Sequence, residues 1–382
     1  MTPPLRLDDY QSKAIRTDRT LKSGNELDLT VLGLVGETGS LLSEVKKKQR
    51  DSRSYLGYED SVVEEMGDML WYLSAVAYHQ GLTLSDIASR NGASQPSLTF
   101  AELQPQLDLP FASPSVAFER TLLRLAGSVG QVADFSADGS GKNQETLKAL
   151  LSGIFHNMVR AANESGITLE QAAAKSLQKA TDRWPTERIP PPLFDASFHD
   201  DEQLPRALEV EIFERTGTNG RTYVIQKCKG LFIGDRLTDN IMLPDDYRFH
   251  DAFHYAYAAV LGWSPVIRAL FRLKRKSETR VDEGQDGARA ILIEEGVATY
   301  VFGHAKNLNF FEGQGPGDLG FSFLKSVKQF ARGYEVDACP LWLWEEAILA
   351  GNHAFRYLRE HRRGRLSLDL NARTLKVEPL PL

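Results

Sequence analysis

Residues 31–51, VLGLVGETGSLLSEVKKKQRD, and residues 61–88, SVVEEMGDMLWYLSAVAYHQGLTLSDIA, decide the fold of the amino-terminal part of the chain. In both stretches apolar residues recur every three or four positions, which is the period of an α-helix with one buried face. Gly81 marks the end of the second helix. The sequence therefore predicts two amphipathic helices joined by a short polar connection.

Polar side chains follow one flank of each apolar stripe. At about 100° per residue, these side chains lie at roughly −60° to −120° from the centre of the stripe in both helices. They are Glu37, Ser40 and Glu44 in the first helix and Glu65, Asp68 and Tyr72 in the second. If the stripes pack together, both flanks face one cleft. Carboxylates that lie so close together resist ionisation unless a cation neutralises their charge. The pattern therefore predicts a Mg²⁺ or Mn²⁺ site that also holds substrate phosphate. A solvated acidic helix face is the alternative.

The segment GETGSLLSEVKK followed by EEMGDMLWYL resembles the MazG-like all-α nucleoside triphosphate pyrophosphohydrolases, whose signature is E-x-x-E, a short gap and E-x-x-D. Glu37, Glu65 and Asp68 match this signature, and the resemblance covers about residues 25–90. Ser40 stands where the signature has its second acid, which puts the metal count or affinity in question. Glu44 follows Glu37 by seven residues, about 20° around the helix, and we infer that it supplies the missing carboxylate.

The resemblance implies a Mg²⁺-dependent (or Mn²⁺-dependent) hydrolase of nucleoside triphosphates. Such an enzyme cleaves a (deoxy)nucleoside triphosphate between its α and β phosphates and releases the monophosphate and pyrophosphate. The implied metal ligands are Glu37, Glu65 and Asp68, with Glu44 or Ser40 assisting.

Further residues are candidates for the remaining roles in that reaction. Glu64 or Glu44 would orient the attacking water, and the sequence does not choose between them. The candidate substrate contacts are Lys47, Lys48, Trp71 and Tyr72. The lysines would stabilise developing charge on the phosphates, or they only complement the carboxyl end of the helix dipole. Packing between helices is the alternative role for Trp71.

The composition is that of a soluble protein acting on a small molecule. The chain has 382 residues, 25% of them charged, and a net charge of −6. This acidic balance argues against a dedicated nucleic-acid binder. No apolar run in the sequence approaches the ~18 residues of a membrane span, and the amino terminus lacks an apolar leader. We therefore expect a cytoplasmic protein with no membrane partner.

A second stretch repeats the apolar pattern of the first without its acids. Residues 122–135, LLRLAGSVGQVADF, align with LGLVGETGSLLSEV, and residues 147–173 align with the second acidic helix and its continuation. In this alignment Ser128, Gln131, Leu150 and Gly153 stand at the positions of Glu37, Ser40, Glu65 and Asp68. We predict a metal-free copy that completes the helical bundle, with a coincidental helical hairpin as the alternative. The resemblance further implies a homo-oligomer, a dimer.

Two Pro-rich breaks, at 93–114 and 186–194, suggest the domain boundaries. The predicted domains are a MazG-like repeat with the acidic metal site at 1–105, a degenerate MazG-like repeat at 113–186, and a C-terminal domain of unidentified family at 200–375. The predicted fold is mainly α, with two MazG-like helical bundles and then a mostly helical α+β domain. This last domain should contain a β-hairpin around Thr218–Asn219–Gly220 and a loop at 235–240 followed by a long helix at 248–262. Further helices are predicted at 286–306, 318–334 and 341–362.

The C-terminal half contains a second group of candidate ligands. His250, Asp251 and His254 begin a predicted helix, and the histidines are four residues apart, on one face. Glu294 and Glu295 interrupt an apolar helix, where a charge needs a partner. These side chains could hold a transition metal such as Zn²⁺. The alternatives are a buried polar network with Arg272, Lys274 or Arg289, and a nucleotide or partner contact.

Two further functions are compatible with the sequence. Because Ser40 replaces an acid and the second copy has none, the amino-terminal region could bind a nucleotide with weak or no turnover. The protein would then be a nucleotide sensor or effector in stress or phage defence, with the C-terminal domain as its output. Alternatively, the C-terminal domain has a hydrolytic or transferase activity of its own.

Overall fold

The computed structural model describes residues 4–18, 26–89, 95–104, 114–138 and 143–380. Its contacts divide the chain into two compact units, Met1–Thr181 and Asp182–Leu382. The described residues are mainly helical, and the second unit contains a five-stranded antiparallel sheet. The prediction of a mainly α chain with an α+β C-terminal region is confirmed. None of the described helices is long and apolar enough to cross a membrane.

The first unit is a bundle of helices. These are α1 (Leu7–Ile15), α2 (Glu26–Asp51), α3 (Tyr58–His79), α4 (Leu84–Ala88), α5 (Phe100–Leu103), α6 (Val116–Ala137), α7 (Gln144–Ser165) and α8 (Leu169–Arg183). The apolar stripes of α2 and α3 pack against each other, as the sequence predicts, and Leu34, Leu41, Met66 and Leu73 are fully buried between them and their neighbours.

Two glycines allow the helices of this bundle to approach closely. The ring of Tyr72 on α3 lies over Gly33 on α2, where an added Cβ would come within 2.0 Å of the Tyr72 Cε1 atom. A Cβ at Gly67 of α3 would lie 2.5 Å from the carbonyl oxygen of Ala172 on α8. These close approaches bring α2 and α8 against the acidic flank of α3.

The second candidate repeat also forms a helical hairpin, α6 and α7, which packs against α2 and α3. Gly166 ends α7 in the left-handed conformation at φ 75°, as Gly81 does after α3 at φ 71°. The structure thus contains the helices that the alignment of the two copies requires. That the two hairpins are copies of one MazG-like unit stays a prediction.

Several sequence expectations differ from the structure or fall outside its described part. The Asp-rich start and polar surface of residues 8–23 predict one helix over that stretch, whereas α1 ends at Ile15 and residues 19–25 lie outside the described residues. Thr83 caps α4 through the Asp86 amide, as expected of a Ser or Thr cap. The sequence predicts that this helix ends at Asn91–Gly92, which lies outside the described residues, as does half of the predicted linker at 93–114. The described half is not all linker, because it contains the capped helix α5.

The second unit begins with the predicted hairpin and adds three strands that the sequence did not reveal. The strands are β1 (Ala207–Thr216), β2 (Thr222–Cys228), β3 (Leu231–Leu237), β4 (Arg363–Asp369) and β5 (Thr374–Glu378), in the order β3-β2-β1-β4-β5. Thr216 pairs with Thr222 across the turn that contains Gly220, at φ 73°. The loop expected at 235–240 is wrong in its first part, because Asp235 and Arg236 lie within β3.

Six helices pack on this sheet and on one another. They are α9 (Asp251–Ala256), α10 (Pro265–Phe271), α11 (Thr279–Gly284), α12 (Ala288–Lys306), α13 (Phe321–Phe330) and α14 (Leu341–His361). A π-helical turn at Tyr257–Leu261 continues α9 and ends at Gly262, φ 70°. The helix predicted at 248–262 is therefore present, as a 3-10 turn at Tyr247–Phe249, α9 and this π-helical turn. Gly262 stops it, and Ser264 caps the separate helix α10. The helix predicted at 318–334 is shorter, at Phe321–Phe330.

The core of the second unit surrounds α14 and α9. A Cβ at Gly351 of α14 would lie 3.1 Å from a ring carbon of Phe253, so the two helices are in close contact there. Val210, Leu366 and Leu368 point from the sheet into the same core. Helix α9 also contacts α12, and both helices contribute to the second candidate site.

Candidate functional site

Three carboxylates of the first unit converge across the α2–α3 interface. Glu37 from α2 and Glu65 and Asp68 from α3 each offer an oxygen, and these atoms lie within 4.8 Å of one another. All three side chains are half-buried, so they are shielded from bulk water and still reachable from it. The structure therefore brings together the three acids that match the E-x-x-E and E-x-x-D signature.

The electrostatics of this acidic cluster, Glu37, Glu65 and Asp68, favour a bound cation. Burial and the neighbouring Glu37 raise the pKa of Glu65 to about 8. Burial also raises the pKa of Asp68 to about 6, although the Lys179 ammonium opposes that rise. Neighbouring carboxylates repel each other, and this repulsion disfavours their ionisation. They release their protons readily when a divalent cation binds and neutralises their charge. Their hard oxygen atoms suit Mg²⁺ or Mn²⁺.

Lys179 is the residue of this site that the sequence did not predict. It comes from α8, and its ammonium donates to Asp68 and, at 3.2 Å, to Glu64. The absence of a side chain at Gly67 allows α8 close enough to α3 for these contacts. One signal was available, since the small residues Ala172 and Ser176 mark the face of α8 that meets α3, and Lys179 lies next to that face.

The remaining predicted residues of α2 lie elsewhere. Among the described acids, the group able to share one ion contains Glu37 but not Glu44. Glu44 is buried and accepts hydrogen bonds from Lys47, at 2.6 Å, and from the Tyr55 hydroxyl. The inference that Glu44 replaces the missing acid therefore has no support from the geometry. Ser40 is half-buried, one turn after Glu37 on the same helix.

Both predicted lysines make contacts near the end of α2. Lys47 pairs with Glu44, and Lys48 donates to the carbonyl oxygens of Ser52 and Tyr55 at 3.0 and 3.3 Å. These contacts fit the alternative role at the carboxyl end of the helix. Contact with substrate phosphates stays a prediction for both residues.

The two aromatic candidates on α3 differ in their surroundings. The Trp71 indole donates to the Ala14 carbonyl and the Thr17 hydroxyl, both at 3.2 Å, which places it against the end of α1. The Tyr72 ring lies over Gly33 beside the acidic cluster, and burial, followed by the charges of Glu37 and Asp68, raises the pKa of its hydroxyl. Tyr72 is thus the aromatic residue next to the acids.

The second unit contains another cluster with the composition of a metal site. His250 and His254 of the α9 segment and Glu295 of α12 offer ligand atoms within 4.8 Å of one another. The Oε1 atom of Glu294 lies 2.8 Å from the Nδ1 atom of His254. Asp251 lies 3.4 Å from the Nε2 atom of His250. All five residues that the sequence singles out therefore lie together.

Comparison with known proteins identifies the C-terminal half. A family described as the MazG C-terminal domain matches residues 189–381, half of the chain. The chain belongs to the MazG C-terminal domain family. The sequence alone did not identify this half, and the comparison supplies its family. The MazG C-terminal domain contains the second cluster, whereas the acidic cluster and both candidate repeats lie outside the matched residues.

One relative is similar to a short part of the chain. The Gene 37 protein of Mycobacterium phage L5 is 36% identical over 67 residues. These residues make up 17% of this chain and 59% of the phage protein, so the chain covers less than two thirds of that relative. No solved structure matches the chain significantly.

Proposed function

We propose that the chain is a Mg²⁺-dependent nucleoside triphosphate pyrophosphohydrolase that converts a (deoxy)nucleoside triphosphate into the monophosphate and pyrophosphate. The observation that carries this proposal is the convergence of Glu37, Glu65 and Asp68 in one half-buried cleft. The resemblance of the surrounding segment to the MazG-like pyrophosphohydrolases and the family of the C-terminal half both support it.

The acids of the cleft would hold the ion that the substrate needs. When bound, Mg²⁺ supplies positive charge that neutralises the triphosphate and polarises the attacking water. Glu37, Glu65 and Asp68 are its proposed ligands. The raised pKa values of Glu65 and Asp68 mean that these two groups give up protons as the cation binds, so binding and deprotonation are linked.

Two neighbouring residues complete the proposed chemistry. Glu64 is preferred over Glu44 as the base that orients the water, because Lys179 bonds both Glu64 and Asp68 of the acidic cluster, whereas Glu44 is bonded to Lys47 and Tyr55 and lies outside the group of acids able to share an ion. Lys179 holds Glu64 and Asp68 in position and adds a positive charge next to the phosphates. In this proposal the second helical hairpin is more than structural, since its following helix α8 provides Lys179.

A hydrolysis screen of the full-length protein tests the proposal. Canonical and modified nucleoside triphosphates are incubated with and without Mg²⁺, and pyrophosphate and orthophosphate are measured separately. We expect Mg²⁺-dependent pyrophosphate release with a favoured substrate. Glu65→Gln and Asp68→Asn should abolish it with helicity unchanged, and Glu59→Gln, an exposed acid on the same helix, should not.

Three outcomes would contradict the proposal in different ways. Orthophosphate as the first product would place cleavage at another bond. Full activity in both acid variants would place the chemistry outside the cluster. Nucleotide-induced thermal stabilisation without any turnover would favour the nucleotide-sensing alternative, with the MazG C-terminal domain as its output.

A further inference from the structure

The second unit contains a cluster that the proposed hydrolysis does not use. We propose that His250, His254 and Glu295 form a second metal site, for a first-row transition dication such as Zn²⁺. Their ligand atoms lie within 4.8 Å of one another. Two imidazole nitrogens and one carboxylate suit Zn²⁺ and its neighbours, whereas Mg²⁺ prefers oxygen ligands only.

One nitrogen in this cluster is buried without a hydrogen-bond partner. The His254 side chain is fully buried, and its Nε2 atom has no hydrogen bond. The atom lies 3.4 Å from the Glu295 Oε2 atom. A buried polar atom whose nearest partner lies at ion-pair distance and not in a well-formed hydrogen bond costs free energy, so native structures often place a ligand or an ordered water there. A metal ion between Nε2 and the Glu295 carboxylate would remove that cost.

Both rings are oriented by acceptors at their other nitrogen. The His254 Nδ1 atom lies 2.8 Å from the Glu294 carboxylate, and the His250 Nδ1 atom lies 2.9 Å from the Tyr247 carbonyl oxygen. With a proton on each Nδ1, the Nε2 lone pairs are available and point toward the shared carboxylate of Glu295. Metal-binding histidines almost always have such a partner on their second nitrogen.

The partners that orient the two rings are themselves held in place. The fully buried Glu294 also accepts from the Ser264 hydroxyl, at 2.6 Å, and from the Val266 amide, at 2.8 Å. The Tyr247 ring stacks on the His250 ring with 4.3 Å between centroids. The geometry of both histidines is therefore set before any ion binds, and this lowers the cost of binding one.

The charges around the cluster also favour a cation. Three carboxylates, from Asp251, Glu294 and Glu295, surround two imidazoles. In the part of the chain that the structure describes, the ion pairs of these acids all involve His250 or His254. The alternative of a network with Arg272, Lys274 or Arg289 is thus not what the structure contains.

One side of the proposed site reaches solvent. The Glu295 side chain is 39% exposed, whereas the two histidine side chains are 9% and 0% exposed. Three protein ligands with an accessible side leave a coordination position for water or a substrate oxygen. Catalytic zinc sites have this arrangement, whereas structural sites are closed by four protein ligands. Asp251, which accepts a hydrogen bond from Gln226, lies 3.4 Å from the Nε2 atom of His250.

Titration of the metal-stripped full-length protein with Zn²⁺ tests the proposal. The protein should bind one ion tightly at this site, and Co²⁺ in its place should give the visible absorption of a low-symmetry nitrogen and oxygen site. Glu295→Gln should weaken Zn²⁺ binding by at least about 10–100-fold without unfolding the protein, because the residue is partly exposed. His254→Ala should abolish binding. Removal of His199, an exposed histidine, should leave binding unchanged.

The result is separable from that for the acidic cluster. The same titration in the Glu65→Gln variant should retain the tight Zn²⁺ site, because this cluster lies in the other unit. Equal Zn²⁺ affinity in the wild type and in Glu295→Gln would overturn the proposal. Loss of the tight site in Glu65→Gln would also overturn it, since the ion would then be at the acidic cluster.

Discussion

Replacing Glu65 with Gln should stabilise the metal-free first unit at alkaline pH. Burial and the neighbouring carboxylates raise the pKa of Glu65 from 4.5 to about 8. A carboxyl group with a raised pKa in the folded state binds its proton more tightly there than in the unfolded chain. Folding is therefore penalised as pH rises from its unfolded pKa through its folded one, and the penalty is absent at lower pH.

The size of this effect follows from the pKa and the exposure of the side chain. The full shift corresponds to about 5 kcal/mol. Because Glu65 is only half-buried, solvent screening reduces this to ~1–2 kcal/mol. For a unit of this size, that change in the free energy of unfolding moves the melting temperature by roughly 3–6 °C. Mg²⁺ at ten times its dissociation constant should give the wild type a comparable gain, about 1.4 kcal/mol.

The assay is calorimetry of full-length protein with a chelator, at about pH 4, below the ordinary carboxyl pKa of 4.5, and at about pH 8.5. Glu65→Gln should match the wild type at the lower pH and exceed it at the higher one in the transition of the first unit. Added Mg²⁺ should largely remove this difference at the higher pH, because only the wild type retains the carboxylate ligand and gains stability from the ion. Glu59→Gln controls for a lost charge on the same helix. A difference between wild type and Glu65→Gln that is the same at both pH values would refute the reasoning.

Three further predictions concern other contacts. Gly67→Ala should lower the free energy of unfolding by about 1–3 kcal/mol in chemical denaturation, because its Cβ would lie 2.5 Å from a backbone oxygen of α8. The control is Gly39→Ala, in open space on α2, which should be neutral or stabilising. Lys179→Met should shift the acidic limb of the pH–rate profile upward, because the pKa of the adjacent carboxyl loses its lowering partner, and an unchanged profile would separate Lys179 from the reaction. Arg275→Met should destabilise the second unit by ~1.5–3 kcal/mol, since it removes both guanidinium hydrogen bonds from the buried Asp286 carboxylate and leaves that carboxylate with the backbone amide of residue 275 and with Arg268 at 3.7 Å. A change below about 1 kcal/mol by calorimetry would contradict this.

Local periodicity was sufficient to predict the main helices. The α2 and α3 stripes alternate with acids at helical spacing, and any helix with that pattern must place Glu37 on one flank of α2 and Glu65 and Asp68 on one flank of α3. The same reasoning placed His250 and His254 on one face. Strands β3, β4 and β5 were not predicted, because short strands such as Thr374–Glu378 carry too few alternating residues to be distinguished from loops.

The sequence by itself determined the acids of each helix flank, the histidine pair, and the hairpin turn at Gly220, because these depend on residues a few positions apart. Only the tertiary structure brought Lys179 to Asp68, 111 residues earlier in the chain, and turned Glu44 toward Lys47 and Tyr55. It also gave two adjacent residues different positions: Glu294 orients the His254 ring, and Glu295 faces both histidines. Adjacent residues of a helix point about 100° apart, so the surrounding packing decides which of them reaches a site.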